Sequence, residues 1–282
     1  MRRILFIVTA LFVFQFSEAQ GLLAKTEKDA NYFPVKANNT IAIIGAFETE
    51  VELLRNKIEN KKESIIEGIH FYEGILNGKQ IVLTRAGIGK VNAAIATSLL
   101  LEHFHPRAIL FSGIAGAMNP SLSPGDIVVA KQMAYHDYGR LSPGGLEKWG
   151  TLNPYNFNRN PIYFPCDSVL ILTAKEAVQK TILKNIDTHT PQIFFGTIVT
   201  GDVFLADAKK NKALREEYNA DATEMEGAAV AQVCYQQKVP FLIIRSLSDN
   251  ANDSATLDFV KYGKMAAENS AALVLTILLL MK

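Results

Sequence analysis

Ile41-Ala42-Ile43-Ile44-Gly45-Ala46-Phe47-Glu48-Thr49-Glu50-Val51-Glu52-Leu53-Leu54 is the stretch that settles the fold class. Its first four residues are apolar without alternation, as in a strand covered on both faces. Gly45 punctuates that run, and the apolar spacing then changes to a helical period that predicts a helix over residues 48–60. Glu48 and Glu50 would fall in its first turn, where the helix dipole favours acids. A buried strand passing through a glycine turn into an amphipathic helix is the opening of an α/β layered fold.

The rest of the chain repeats the alternation. Residues 64–76 and 80–84 read as strands joined at Asn77-Gly78, the pair preferred in tight hairpin turns. Gly87-Ile88-Gly89 opens a predicted helix to about His103, and strands follow over 108–111 and 127–130. Residues 138–165, rich in Gly, Pro, Asn and aromatics, are expected to form one long loop, a length usually kept for function or disorder. A helix over 168–184, a strand over 194–200, a short helix after Asp207, a helix from Glu224 and a strand over 241–247 complete the sequence. The last predicted helix covers 256–281, and its apolar end, 271–281, is too short to span a bilayer and suits core or subunit packing. In such sheets ligands gather at the C-terminal strand ends, so functional residues are expected just after Ile44, Phe111, Thr200 and Leu247.

Upstream, Arg2 and Arg3 precede an apolar run over residues 4–14, followed by Ser17-Glu18-Ala19. Those are the parts of a secretory signal. A transmembrane anchor needs roughly 20 apolar residues, about twice this run. The expectation is export to the periplasm or medium, with residues 1–19 removed, 20–39 as a linker and 40–282 as one domain, without stable membrane insertion afterwards. Charge is balanced, 29 Lys+Arg against 28 Asp+Glu, and no basic stripe appears, so nucleic acid is not an expected partner. Cys166 and Cys234 lie far apart, and either a pair or two separate buried thiols is compatible with that, the second being favoured. The five histidines make no metal-ligand spacing, so neither metal nor cofactor is expected.

Five polar clusters stand at the predicted strand and helix ends: Gly45 to Val51, Ser112-Gly113-Ile114-Ala115-Gly116, Thr200-Gly201-Asp202-Val203-Phe204-Leu205, Glu224-Met225-Glu226-Gly227 and Arg245-Ser246-Leu247-Ser248-Asp249. Singly, each has a structural explanation: first-turn charges for the glutamates, a helix cap for Asp249. Together, in this order, and with Gly87-Ile88-Gly89-Lys90-Val91, Leu99-Leu100-Leu101-Glu102-His103, Pro124-Gly125-Asp126-Ile127-Val128-Val129 and Tyr135-His136-Asp137, they resemble the bacterial methylthioadenosine/S-adenosylhomocysteine nucleosidases of the nucleoside phosphorylase superfamily. The similarity runs from about Ile41 to the C-terminus.

That resemblance implies a three-layer sandwich with a central mixed, twisted sheet flanked by helices, a homodimer, and hydrolysis of an adenine nucleoside at C1′. It implies Asp249 as the acid that protonates the purine near N7, Glu50 as the group that orients and deprotonates the attacking water, and Arg245 beside that water. Glu226 would accept the 2′- and 3′-hydroxyl protons and Met225 would lie against the sugar. Phe204 would stack on adenine, the Leu205 main chain would read the purine edge, Gly116 would line the pocket and Phe47 would face the 5′ substituent. An Asp at 249, where related enzymes have Asn, favours 6-aminopurines. Ile114 stands where the family usually carries a serine whose hydroxyl helps hold the water. The alternatives are a phosphate-dependent phosphorylase on the same fold and an exported nucleoside-binding protein with weakened catalysis.

Overall fold

The computed structural model describes residues 37–282; the readings of residues 1–36, the export signal and most of the linker, lie outside them. Strand β1 (Ile41–Gly45) is buried at every position. It pairs in parallel with β4 (Lys79–Arg85) on one edge and β5 (Ala108–Ala117) on the other, which is why its sequence shows no alternation. Beyond β4 lies the meander of β2 (Glu59–Ile66) and β3 (Ile69–Leu76). Asn77 and Gly78 turn β3 into β4 with φ of 51° and 73°, the left-handed pair that a two-residue hairpin demands.

On the other side, β5 pairs in parallel with β12 (Phe241–Asp249), and β12 runs antiparallel to β6 (Ile127–Tyr135). β6 pairs in parallel with β10 (Ile193–Thr200), and β10 with β11 (Ala222–Glu224). β11 then reaches back antiparallel to the end of β5, with Thr223 opposite Gly116, so this half of the sheet curls closed. Helices α1 (Glu48–Arg55), α3 (Ser168–Val178) and α6 (Ala255–Leu280) pack together, as do α2 (Lys90–Phe104) and α5 (Gly227–Gln237). α4 (Ala208–Tyr218) is capped by Asp207, whose side chain accepts from Lys210 N. The expected mixed sheet flanked by helices is the architecture found.

Several local expectations need correction. The helix from Glu48 stops at Arg55, and residues 59–60 belong to β2. β2 opens with Glu59-Asn60-Lys61-Lys62-Glu63, all exposed, so pairing with β3 decides its conformation without any apolar alternation to announce it. The segment 138–165 is not a plain loop: β7 (Gly139–Ser142) and β8 (Gly145–Lys148) form a hairpin and β9 (Tyr163–Pro165) joins β6. The helix from Ser168 ends at Val178. Glu224 ends a strand rather than opening a helix, and α5 begins only at Gly227. β5 and β12 run six and two residues past their predicted ends at 111 and 247, so their polar clusters are part of the sheet.

α6 is long and apolar enough to cross a membrane by composition, yet 56% of its most apolar window is buried within the protein. Leu273, Val274, Ile277 and Leu278 of its apolar end are buried core residues, as expected for packing. Cys166 and Cys234 are separate buried thiols; burial pushes the Cys166 thiol up to about 12, which keeps it unreactive.

Candidate active site

One pocket, with about 470 Å³ of empty space, opens where β5, β11 and β12 meet. Phe47, Ile114, Gly116, Phe204, Leu205, Met225, Glu226 and Asp249 line it. Glu50 and Arg245 sit behind its wall, 2% and 1% exposed. The strands bring these groups together because β5 and β12 are paired through their ends, Arg245 opposite Gly113 and Asp249 opposite Gly116.

Glu50 lies in the first turn of α1 and is held by main chain. The Ala46 and Phe47 N–H groups donate to its Oε2, the latter at 3.0 Å. The Ile114 N–H donates to Oε1 at 3.0 Å. Burial raises its pKa, opposed by Arg245 and by these three N–H donors. Gly113 separates the carboxylate from the guanidinium: a Cβ there would stand 2.8 Å from Glu50 Oε1 and 3.0 Å from Arg245 Nη1. Only glycine leaves that space open.

Arg245 is fully buried on β12, its guanidinium 3.9 Å over the Phe111 ring. Nη1 donates to the Phe111 and Ile244 carbonyls, each at 3.2 Å, and Nη2 donates to Glu224 Oε2 at 2.9 Å. Glu224 also accepts from the Thr200 hydroxyl and from the Glu226 and Gly227 N–H groups, at 3.1 and 2.7 Å. These bonds give the buried Glu224 carboxylate the partners that such an ion pair needs, while Arg245 Nε has none. Glu224 thereby fixes Arg245 on one side and the first residues of α5 on the other. Glu226 precedes α5, accepts from Gly89 N at 2.8 Å, and has its pKa raised by burial and by the neighbouring Glu224.

Asp249 ends β12 and is 3% exposed. Its Oδ2 accepts from the Ser248 hydroxyl at 2.7 Å and its Oδ1 from Ala251 N at 2.8 Å. Burial raises its pKa, and the two hydrogen bonds pull the other way. Gly116 allows this approach, since a Cβ there would lie 2.8 Å from Asp249 Oδ1.

Three phenylalanines stand in the apolar wall. Phe259, from α6, lies 6.1 Å from Phe47 and 6.2 Å from Phe204, both edge-to-face. Phe204 is 49% exposed, leaving a face free. Ile114 packs on Ala266 and Ala267 beside Phe47 and Phe259, so its side chain belongs to this wall while its N–H serves Glu50. Sequence reasoning missed Glu224, Ser248 and Phe259 as parts of the site. Glu224 and Ser248 stood inside quoted clusters, each next to a chosen residue, Met225 and Asp249; Phe259 sits in a helix whose sequence carries no signal for it.

Residues 40–279 match the family model of the Phosphorylase superfamily. The chain is 44% identical over 236 residues to the 5′-methylthioadenosine/S-adenosylhomocysteine nucleosidase of Psychromonas ingrahamii, covering 83% of this chain and 96% of that enzyme. Its fold is similar to the nucleosidase of the same name from Neisseria meningitidis, solved in complex with methylthio-immucillin-A. There the TM-score is 0.77 at 36% identity, over 86% of this chain and all of the other. The Streptococcus pneumoniae nucleosidase, solved with a transition-state inhibitor, gives a TM-score of 0.75 at 32% identity, again over 86% of this chain and all of the other.

Proposed function

Because this chain belongs to the 5′-methylthioadenosine/S-adenosylhomocysteine nucleosidases and hydrolyses the N-glycosidic bond of adenine nucleosides of that type, we propose the following division of labour among its buried groups. Cleavage at C1′ releases adenine through a ribosyl cation, so it needs a proton on the leaving base, negative charge near the sugar and a held water. Asp249, kept protonated toward higher pH by burial, donates toward N7 of the purine. Glu50, facing Arg245 across Gly113, orients the water and takes its proton. Glu226 accepts from the ribose hydroxyls with Met225 against the sugar. Phe204 stacks on the base, the Leu205 main chain reads its edge, and Phe47 and Phe259 offer an apolar surface to the 5′ substituent.

The observation that carries this reading is the charge of the site. Glu50, Glu224 and Glu226 are buried around it beside the protonated Asp249, and among the described residues Arg245 is the one fully buried cation, already paired with Glu224. A phosphate dianion would meet repulsion there, whereas a neutral water and a developing ribosyl cation suit it. The test is adenine release in phosphate-free buffer by the wild type and by Glu226→Gln. A glutamine keeps an acceptor for Gly89 N but turns an NH₂ toward the hydroxyls. Hydrogen bonds to a charged group contribute about 1.5–3 kcal/mol, so kcat/KM for 5′-methylthioadenosine should fall roughly 10- to 150-fold. The 2′-deoxy analogue should be a poorer wild-type substrate and lose less in the variant. Equal losses for both substrates would remove Glu226 from the ribose, and a strict need for phosphate would mark a phosphorylase.

Export and dimerisation belong to the same proposal. Export is supported by Arg2-Arg3, the apolar run 4–14 and Ser17-Glu18-Ala19. Dimerisation is supported by Val91 and Ile95, exposed at 68% and 47% one helical turn apart on α2 near the pocket. Protein isolated from its own host should start near Gln20 and sediment as a dimer. A chain that keeps Met1 in the cytosol would end the export reading, and a monomer at micromolar concentration the other.

A further inference from the structure

We propose that Lys90 is a positioning residue that fixes the base-binding loop and the ribose-binding carboxylate relative to each other; this rests on the roles given above to Phe204, Leu205 and Glu226. Three segments that the reaction does not otherwise use converge beside the pocket: Gly87-Ile88-Gly89-Lys90 at the start of α2, Tyr135-His136-Asp137 at the end of β6, and Thr200-Gly201-Asp202 at the end of β10. The two strand ends are joined where His136 N donates to Thr200 O at 2.9 Å.

Lys90 closes the triangle with both its main chain and its side chain. Its N–H donates to Asp202 Oδ1 at 2.8 Å. Its Nζ donates to both oxygens of Asp137, at 2.8 and 2.7 Å, and stands 3.6 Å from Asp202 Oδ2. Asp202 N in turn donates to Asp137 Oδ2 at 2.8 Å. One residue before Lys90, Gly89 N holds Glu226 Oε1. Two and three residues after Asp202 come Phe204 and Leu205 on the pocket wall. The path from the ribose carboxylate to the adenine loop runs through the main chain of Gly89 and Lys90 to the Asp202 carboxylate; the Lys90 side chain holds that path in place by tying Asp202 and Asp137 together.

The ammonium group also lies between two carboxylates and offsets one of their two charges. Without it, Asp137 and Asp202 repel, and the start of the base loop is pushed from its place. Glu50 and Asp249 hang on α1 and β12 and are not part of this triangle, so the groups that move protons stay where they are. The lost contacts are ones made in the ground state, and such losses appear in KM rather than in kcat.

The experiment uses the full chain with 5′-methylthioadenosine as substrate and free adenine as inhibitor. Lys90→Met should raise both KM and the adenine inhibition constant about tenfold, below the roughly hundredfold that a 1 Å misplacement of reacting groups costs. Its kcat should change by less than about threefold. The Lys90 side chain is 22% exposed, and partly exposed ion pairs contribute little to stability, so the variant should fold. Adding Asp137→Asn removes one of the two repelling charges, keeps an acceptor for Asp202 N, and should restore most of the lost adenine binding. Unchanged adenine inhibition in Lys90→Met, or a double variant no better than the single one, overturns the proposal. Phe204→Ala is the control: if it weakens adenine while Lys90→Met does not, the positioning role alone falls. If neither variant weakens adenine, the reading of the base loop falls with it.

Discussion

Glu50→Gln is expected to lower the rate of adenine release by at least about 100-fold, toward the 10⁴-fold end of what a general base contributes. Both oxygens of Glu50 are acceptors for main-chain N–H groups: Ala46 and Phe47 at one, Ile114 at the other. A glutamine has only one acceptor oxygen, so its NH₂ must face an N–H on one side or the other. The substitution removes the base and leaves a buried donor unpaired, at a cost of about 1–3 kcal/mol in stability. Adenine binding, measured by inhibition or calorimetry, separates the two effects: a folded variant that binds adenine but does not turn over has lost its base. The acid limb of kcat/KM against pH should disappear with it, because protonating Glu50 is what stops the wild type as pH falls. Since burial raises this group's pKa, that limb should lie above the ordinary carboxylate range. More than a tenth of wild-type turnover in Glu50→Gln would remove it from the mechanism. Ile114→Ser is the contrast. It keeps the N–H on Glu50, so the rate should stay within about tenfold of wild type, one neutral hydrogen bond to water being about 0.5–1.5 kcal/mol. It empties part of the apolar wall against Ala266 and Ala267, and large-to-small changes there cost about 2–5 kcal/mol of stability.

Asp249→Asn should cost about 100-fold or more in turnover with little change in fold. The asparagine oxygen can still accept from Ala251 N, and the Ser248 hydroxyl, being both donor and acceptor, can rotate to meet the new NH₂. What is missing is a transferable proton. The sign of the pH dependence follows. Asp249 acts when protonated, its raised pKa extends that form upward in pH, and the wild-type rate falls as pH climbs through it. That alkaline limb should be absent in the variant. A nucleoside whose leaving group needs no protonation should be cleaved nearly as well by the variant as by wild type. If natural adenine nucleosides are also released at near-normal rates, the acid lies elsewhere.

Both assignments came from the family resemblance that the polar clusters carry together; singly, each residue also had a structural explanation. Glu50 was readable because it follows an unmistakable buried strand, and Asp249 because it follows another. Their environment was not readable. The raised pKa values require burial, and burial of residues 50 and 249 is decided by strands and helices that lie far away in the chain. Glu224 shows the same limit. It stands two residues from Glu226, and nothing local distinguishes them, yet both line the pocket with different partners: Glu224 is locked in an ion pair with Arg245, and Glu226 accepts from Gly89 N.

Local sequence determined what local physics controls. Mostly apolar runs became the strands β1 and β10, Asn77-Gly78 became the hairpin turn, and Gly87-Ile88-Gly89 preceded a helix. The tertiary structure alone decided that β5 and β12 continue past their apolar runs, because pairing between Gly113 and Arg245 and between Gly116 and Asp249 supplies hydrogen bonds that no single strand's sequence reveals. It also decided that the charged opening of β2 is a strand, that Phe259 from α6 closes the pocket, and that Ile114 serves Glu50 through its main chain. Apart from the β2–β3 hairpin, whose partners lie within 16 residues, each of these depends on a partner dozens of residues away or more; the free energy of such a contact is a property of the pair, which neither segment carries by itself.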